Sequence, residues 1–310
     1  MQQEFPMLEQ SEIKTLLDPP DHPVSMVLDT DTYNEIDDQF ALLYALLSDS
    51  LNVEAIYAAP FHNGKSSGPC DGMERSYEEI LRILNHMDID RINDVFKGAT
   101  EYLSSGTDPQ PSAAVVDLLE RSTESRTGPL YVVAIGAITN IATALLLDPG
   151  LVERIVVVWL GGHPTYWPTA SEFNLKQDIH ASQIIFDSGV PLVHVPCKNV
   201  AEHVKTTLPE IERYVKGQGT IGDYLHEIFL GYNKDHYARS KEIWDVATIA
   251  YLVNPNWVPS EIMLSPVLNP DLTWDLADRS RHPIRVATNA RRDPIFQDLF
   301  SKLADHASHG

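Results

Sequence analysis

The chain has 310 residues, 43% of them hydrophobic, enough to bury a large core in one or two α/β units. Its formal net charge of −21 argues against polyanionic partners, so neither nucleic acid nor an acidic membrane surface is an expected ligand. Part of that negative charge, if gathered in one place, suits a cation.

From the N-terminus, Met1 to Asp21 is acidic and mixed. It lacks the basic head and apolar run of a signal peptide, and residues 1–22 read as an N-terminal extension. Val24 to Leu28 reads as a strand and Gln39 to Leu47 as an apolar helix. Val53 to Ala59 and Tyr77 to Met87 repeat the pair. Further strands are expected at Val95 to Gly98, Leu130 to Ile135, Ile155 to Leu160, Pro191 to Val195 and Ile284 to Ala287. Helices fall at Ala113 to Leu119, Thr139 to Leu147, His180 to Asp187, Ile221 to Tyr232, Trp244 to Leu252 and Ile295 to Leu303. No apolar stretch reaches the roughly 18 residues of a membrane helix. Cys70 and Cys197 are too few for a disulfide framework or a thiolate zinc site, and they favour a reducing compartment. A cytoplasmic protein is expected.

Runs such as Ile155-Val156-Val157-Val158-Trp159-Leu160 are apolar at every position, as in strands covered on both faces. Alternation with helices implies an open, mostly parallel α/β sheet with helices on both faces. No repeat or linker divides the chain, so residues 1–310 are expected to form a single domain. Open sheets of this kind bind ligands at the carboxyl ends of their strands.

The first strand ends in Asp29-Thr30-Asp31-Thr32-Tyr33-Asn34-Glu35-Ile36-Asp37-Asp38. Asp29 and Asp31 close the strand, and Asp37 and Asp38 open the next helix, so the two halves can converge across one loop. No Lys or Arg lies within this stretch to offset the repulsion, and a hard divalent cation with oxygen ligands is the usual compensation. Helix capping accounts for one or two such residues, because carboxylates favour a first helical turn. It does not account for Asp29, Asp31, Glu35, Asp37 and Asp38 together. The start Asp29-Thr30-Asp31-Thr32 also looks like that of a haloacid-dehalogenase phosphatase, which would make Asp29 a nucleophile and the ion Mg²⁺. That pattern needs a late acidic pair, which the chain does not clearly offer.

Five motifs in order resemble the nucleoside hydrolase family of the inosine-uridine preferring type. They are Asp29-Thr30-Asp31 with Asp37-Asp38; Ile135-Gly136-Ala137-Ile138-Thr139-Asn140-Ile141; Leu160-Gly161-Gly162; Glu172-Phe173-Asn174 followed by Asp178; and Trp244-Asp245. The family opens with Asp-x-Asp-Pro-Gly-x-Asp-Asp; here two extra residues separate the halves and Thr32-Tyr33-Asn34-Glu35 replaces Pro-Gly. The resemblance implies Ca²⁺ held by the carboxylates of Asp31, Asp38 and Asp245 and the carbonyl of Ile135. It implies Asp37 as general base, Asn63, Glu172 and Asn174 as ribose contacts, and Asp29 as a support for the loop. It further implies a ribonucleoside substrate and a homodimer or homotetramer.

The implied reaction is hydrolysis of the N-glycosidic bond through an oxocarbenium-like ribosyl cation. It needs an activated water, an oriented sugar and help for the departing base. Direct attack by water predicts inversion at the anomeric carbon. Many family members place a His just before the late metal-binding Asp, where it can protonate the base. Here that residue is Trp244, which can stack on a base but cannot act as an acid. Tyr166, Tyr232, Tyr237 and His236 stand in nearby loops as candidate substitutes for that acid, and Tyr166, Tyr232 and His236 as candidates for the base pocket. A non-catalytic nucleoside- or ribose-binding protein that kept the metal pocket is the other alternative.

Overall fold

The structure, a computed structural model, describes residues 4–20 and 23–309; residues 1–3, 21, 22 and 310 lie outside it, including part of the expected N-terminal extension. The elements in chain order are α1 (Gln10–Leu16), β1 (Val24–Thr30), α2 (Asp38–Leu46), β2 (Leu51–Ala58), α3 (Pro69–His86), β3 (Val95–Lys97), α4 (Ala113–Arg121), β4 (Leu130–Ala134) and α5 (Thr139–Leu147). They continue with β5 (Ile155–Leu160), α6 (Phe173–Gln177), α7 (Ile179–Asp187), β6 (Leu192–Val195), β7 (Lys205–Thr207), α8 (Leu208–Tyr214), α9 (Gly219–Tyr232), β8 (Ser240–Glu242) and α10 (Val246–Val253). The last are β9 (Ser260–Leu264), β10 (Val267–Leu268), β11 (Trp274–Asp275), β12 (Pro283–Ala287) and α11 (Arg292–His309).

Eight strands form one sheet in the order β3-β2-β1-β4-β5-β6-β12-β9. Every pairing is parallel except that of the edge strand β9, which runs antiparallel to β12. The expected two-sided burial holds residue by residue. In β5, Val156, Val158 and Leu160 join a core that includes Leu42, Ile83 and Leu252. Ile155, Val157 and Trp159 join an opposite core with Val115, Leu145 and Ile185. An alternating strand with apolar residues at both parities must be covered by helices on each side, and here α2, α3 and α10 cover one face and α4, α5 and α7 the other.

Among the differences from the sequence expectation, three bear on the core and the site. Helix α3 starts at Pro69, eight residues ahead of Tyr77, because a proline fits the first helical turn and Met73 and Ser76 are buried despite a polar neighbourhood. Strand β9 was not expected: as an edge strand it is half exposed and carries Glu261 among its apolar residues. Helix α10 starts at Val246, with Asp245 rather than Trp244 at its boundary.

Central strands β1, β4 and β5 deliver their carboxyl ends to one place, the usual ligand edge of an open sheet. Two glycines allow the close approach. A Cβ on Gly136 would lie 3.1 Å from the Asp31 side chain, and one on Gly98 would lie 2.2 Å from the Ala58 carbonyl and 2.4 Å from Asn140 Nδ2. A short antiparallel ribbon of β7 and β8 pairs Thr206 with Lys241 and leads the chain into Trp244 and Asp245 from the far side.

Candidate active site

The loop between β1 and α2 brings Asp37 and Asp38 against Asp245 at the start of α10. One carboxylate oxygen from each lies within 4.8 Å of the others. Asp38 Oδ1 accepts from Thr30 Oγ1 at 2.6 Å, and Asp37 Oδ2 accepts from the Trp244 backbone N–H at 3.1 Å. Neither Asp37 nor Asp245 caps its own helix through its side chain, so capping does not explain them. Asp31 is fully buried, and neither of its carboxylate oxygens has a hydrogen-bond partner.

Burial and mutual repulsion raise the proton affinity of the whole cluster. Burial is the larger cause for Asp31, followed by the charges of Asp38 and Asp37. Asp38 is pushed up to about 8 by burial and then by Asp37. Asp245 is also raised, by burial and then by Asp37, Asp38 and Asp31. Buried carboxylates that are left without partners are costly. Orphaned oxygens on Asp31 and an all-oxygen donor set fit a hard divalent cation, which would offset this repulsion. The carbonyl of Ile135 belongs to the same edge and accepts from Asn174 Nδ2 at 3.1 Å.

Above the cluster is a cavity of about 290 Å³, lined by Asp37, Asp38 and Asp245 and by Ile135, Glu172, Asn174 and Trp244. Glu172 is the N-cap of α6: its Oε1 accepts from Asn174 N, and its Oε2 from Gly162 N and Leu175 N. Asn174 spends both donors, on the carbonyls of Ile135 and Leu160. Its side-chain oxygen is free of any such duty.

Other expected residues sit elsewhere. Asp29 is fully buried and its Oδ1 accepts from Asn140 Nδ2 at 2.7 Å, so it has no access to the cavity and the phosphatase reading, with Asp29 as nucleophile, fails. Burial raises Asp29 to about 7, against the Asn140 hydrogen bond. Asn63 stands outside the lining and donates to Asn34 Oδ1 at 2.6 Å; Asn34 itself faces the cavity. Tyr166 is 69% exposed and its hydroxyl accepts from Asn199. The His236 ring stacks on Phe229, with Nε2 at Leu230 O. Tyr232 is partly exposed, with Lys241 Nζ 5.0 Å from its ring centre. None of these three aromatic side chains lines the cavity.

The structure also adds residues that sequence reading did not single out. Lys241 is buried, and its Nζ lies 2.7 Å from Glu35 Oε2. Burial opposes its charge, but Asp37 and Glu35 more than reverse this and hold the ammonium above its usual range. The acidic loop therefore does have a cation beside it, contributed from far along the chain. Lys241 stands four residues before Asp245, which was the only sequence hint. His163 also lines the cavity. It directly follows Gly161-Gly162 at the carboxyl end of β5, a position that could have marked it.

A family model described as inosine-uridine preferring nucleoside hydrolase matches residues 26–297. The pyrimidine-specific ribonucleoside hydrolase RihA of Escherichia coli O9:H4 (strain HS) is 29% identical, over 71% of this chain and 76% of that protein. RihA of Salmonella paratyphi A (strain ATCC 9150 / SARB42) is 30% identical over the same shares. Among solved structures, the plant nucleoside hydrolase PpNRh1 matches with a TM-score of 0.71 at 20% identity, covering 91% of this chain and 99% of that chain. The purine-preferring ribonucleoside hydrolase from Gardnerella vaginalis matches with a TM-score of 0.71 at 20% identity, covering 92% and 100%. At these identities the two structural matches establish the shared fold.

Proposed function

The chain belongs to the inosine-uridine preferring nucleoside hydrolase family, and from that membership we propose that it hydrolyses ribonucleosides to ribose and free base in a Ca²⁺-dependent reaction, with Asp37 as general base. The chemistry of the family is hydrolysis of N-glycosidic bonds. The observation that carries the finer reading is the buried set Asp31, Asp37, Asp38 and Asp245 beneath a cavity that Asn174 and Glu172 also line.

Asp31, Asp38 and Asp245 would hold the ion through carboxylates and Ile135 through its carbonyl. When bound, Ca²⁺ supplies Lewis acidity that eases deprotonation of water and a hard centre for vicinal hydroxyls. The remaining work falls to the chain's own groups. Asp37 is oriented by the Trp244 N–H, and the nearby Lys241 ammonium favours its ionised form against the effect of burial. That is the state a base needs to take a proton from water. Asn174 has its amide donors fixed on two carbonyls, which presents its oxygen as an acceptor for a ribose hydroxyl. Glu172 uses three of the roughly four acceptor positions of a carboxylate on backbone N–H groups, leaving about one for the sugar. Asn63 acts one step removed, through Asn34. Trp244 offers a face to the nucleobase. Attack by water from the Asp37 side inverts the anomeric carbon.

We take residues 1–310 as one working domain, since the eight-stranded sheet draws strands from Val24 to Ala287. Assembly into a homodimer or homotetramer is part of the same proposal. Incubation with a panel of ribonucleosides and 2′-deoxynucleosides, with Ca²⁺ present, tests the function. Ribose released from ribonucleosides in preference to the deoxy series supports it. No release from any ribonucleoside overturns it, and saturable ribose binding without turnover would point to a binding protein instead.

A further inference from the structure

Departure of a nucleobase leaves an electron pair on nitrogen that wants a proton. Of the groups lining the cavity, few can give one. Trp244 stands where an acid is expected by resemblance, and an indole N–H does not titrate as one. Burial, with the neighbouring Glu172, Asp245 and Asp37 carboxylates, pushes the Cys197 thiol up. Lys198 is paired with Glu202 at 3.0 Å, a contact that holds its ammonium above the usual range. Tyr166, Tyr232, Tyr237 and His236 do not line the cavity.

His163 does line it. Its Nδ1 is shielded from solvent and has no hydrogen-bond partner, in a ring set edge-on to Trp167. Shielding of Nδ1 leaves Nε2 as the nitrogen through which His163 would meet a ligand, and His163 is the imidazole among the residues that line the cavity. His163, Lys198 and Trp244 line the same cavity, with Lys198 Nζ 6.0 Å from the ring centre of Trp244, the residue read above as the nucleobase contact. Resting on the ribonucleoside reading above, we propose that His163 is the catalytic acid that protonates the departing base, in place of the residue occupied by Trp244.

The step balances. The C1′–N bond breaks and its electron pair passes to the base nitrogen, which takes the proton of the His163 imidazolium. The water oxygen bonds to C1′, and the water proton goes to Asp37. Solvent then returns one proton from Asp37 to His163, so the net reaction is nucleoside plus water to ribose plus neutral base. The groups facing His163 are Lys198 and Glu202, of opposite charge, and the Ser171 backbone. Burial and then Lys198 lower its proton affinity, which makes it a stronger acid than a free imidazole and limits it to the acidic side of neutrality.

His163→Ala and the size-conserving His163→Gln are compared with the unaltered protein on a ribonucleoside and on p-nitrophenyl riboside, whose leaving group needs no acid. Both variants are expected to lose about a hundredfold or more in kcat on the ribonucleoside and to stay within about threefold on the nitrophenyl substrate. The fall in ribonucleoside kcat/KM as pH rises through the lowered range of His163, on the acidic side of neutrality, should vanish in the variants. Equal losses on both substrates, a ribonucleoside loss under about tenfold, or an unchanged alkaline limb would each overturn the assignment. If the unaltered protein cleaves no riboside at all, the underlying reading falls and the assignment falls with it. The preserved nitrophenyl rate is the control for an intact site.

Discussion

Lys241 Nζ lies 2.7 Å from Glu35 Oε2, joining the ribbon strand β8 to the loop that carries the aspartates. Glu35 sits in the stretch that is two residues longer than the family pattern, so the extra length has a partner. The same ammonium lies near Asp37 and over the rings of Tyr232 and Trp244. It is a buried positive charge held beside the aspartate loop.

Removing that charge leaves Glu35 unpaired and withdraws support from ionised Asp37. Loss of one partner of a fully buried pair costs about 3–5 kcal/mol, but the Glu35 side chain is 38% exposed, so roughly 1–2 kcal/mol is expected. Lys241→Met should lower the denaturation free energy by that amount and ribonucleoside kcat by about tenfold. A variant of unchanged stability and rate would deny the pair any role.

Asn140 links β1 to the loop after β3. Its Nδ2 donates to Asp29 Oδ1 at 2.7 Å and its Oδ1 accepts from Ala99 N at 2.8 Å. Asn140→Leu strands both a buried carboxyl and a buried N–H. At about 1–3 kcal/mol for each unsatisfied group, a total loss of roughly 2–5 kcal/mol is expected in urea unfolding. A loss below about 0.5 kcal/mol, within the noise of surface substitutions, would show that Asp29 is held by other means.

Two histidines outside the site set an acid limit on stability. His194 is fully buried with Nε2 at 2.6 Å from Gly161 O, and burial lowers it to about 4. His282 is lowered to about 4 by burial and then by Arg281. The unfolded chain protonates near pH 6.5, above either folded value, so folding loses nothing above pH 6.5 and weakens as pH falls from 6.5 to about 4. At about 1.4 kcal/mol per pH unit, His194 alone accounts for on the order of 3 kcal/mol across that window. The buried aspartates, raised in the folded state, act in the opposite direction over the same window, so the test is the difference between proteins: from pH 7 to pH 5 the urea midpoint of the unaltered protein should change less favourably than that of His194→Gln, each measured against its own pH 7 value. An identical slope in the variant would remove His194 from the account.

The fold was legible because its signals are local. Ile155 to Leu160 announces a strand covered on both faces, and Thr139 to Leu147 an apolar helix, within single runs. The aspartates were legible as a cluster for the same reason: Asp31, Asp37 and Asp38 are near neighbours in sequence. What the sequence hid depends on long-range pairing. Lys241 reaches Glu35 only through the β7–β8 ribbon, whose strands Lys205–Thr207 and Ser240–Glu242 are short and polar and show no apolar alternation. His163 became informative only once its neighbours on the cavity were known. Tyr166 and His236 are close to the motifs in sequence but turn to solvent or to Phe229.

The central claim is that Asp37 takes the proton of water while its neighbours hold the ion. The direct measurement is ribose release by Asp37→Ala, paired with Ca²⁺ binding by calorimetry on the same preparation. The expected result is a fall in kcat of about a thousandfold with Ca²⁺ still bound at the stoichiometry of the unaltered protein. A variant that binds Ca²⁺ and retains kcat within about tenfold would contradict the assignment of Asp37 as the base.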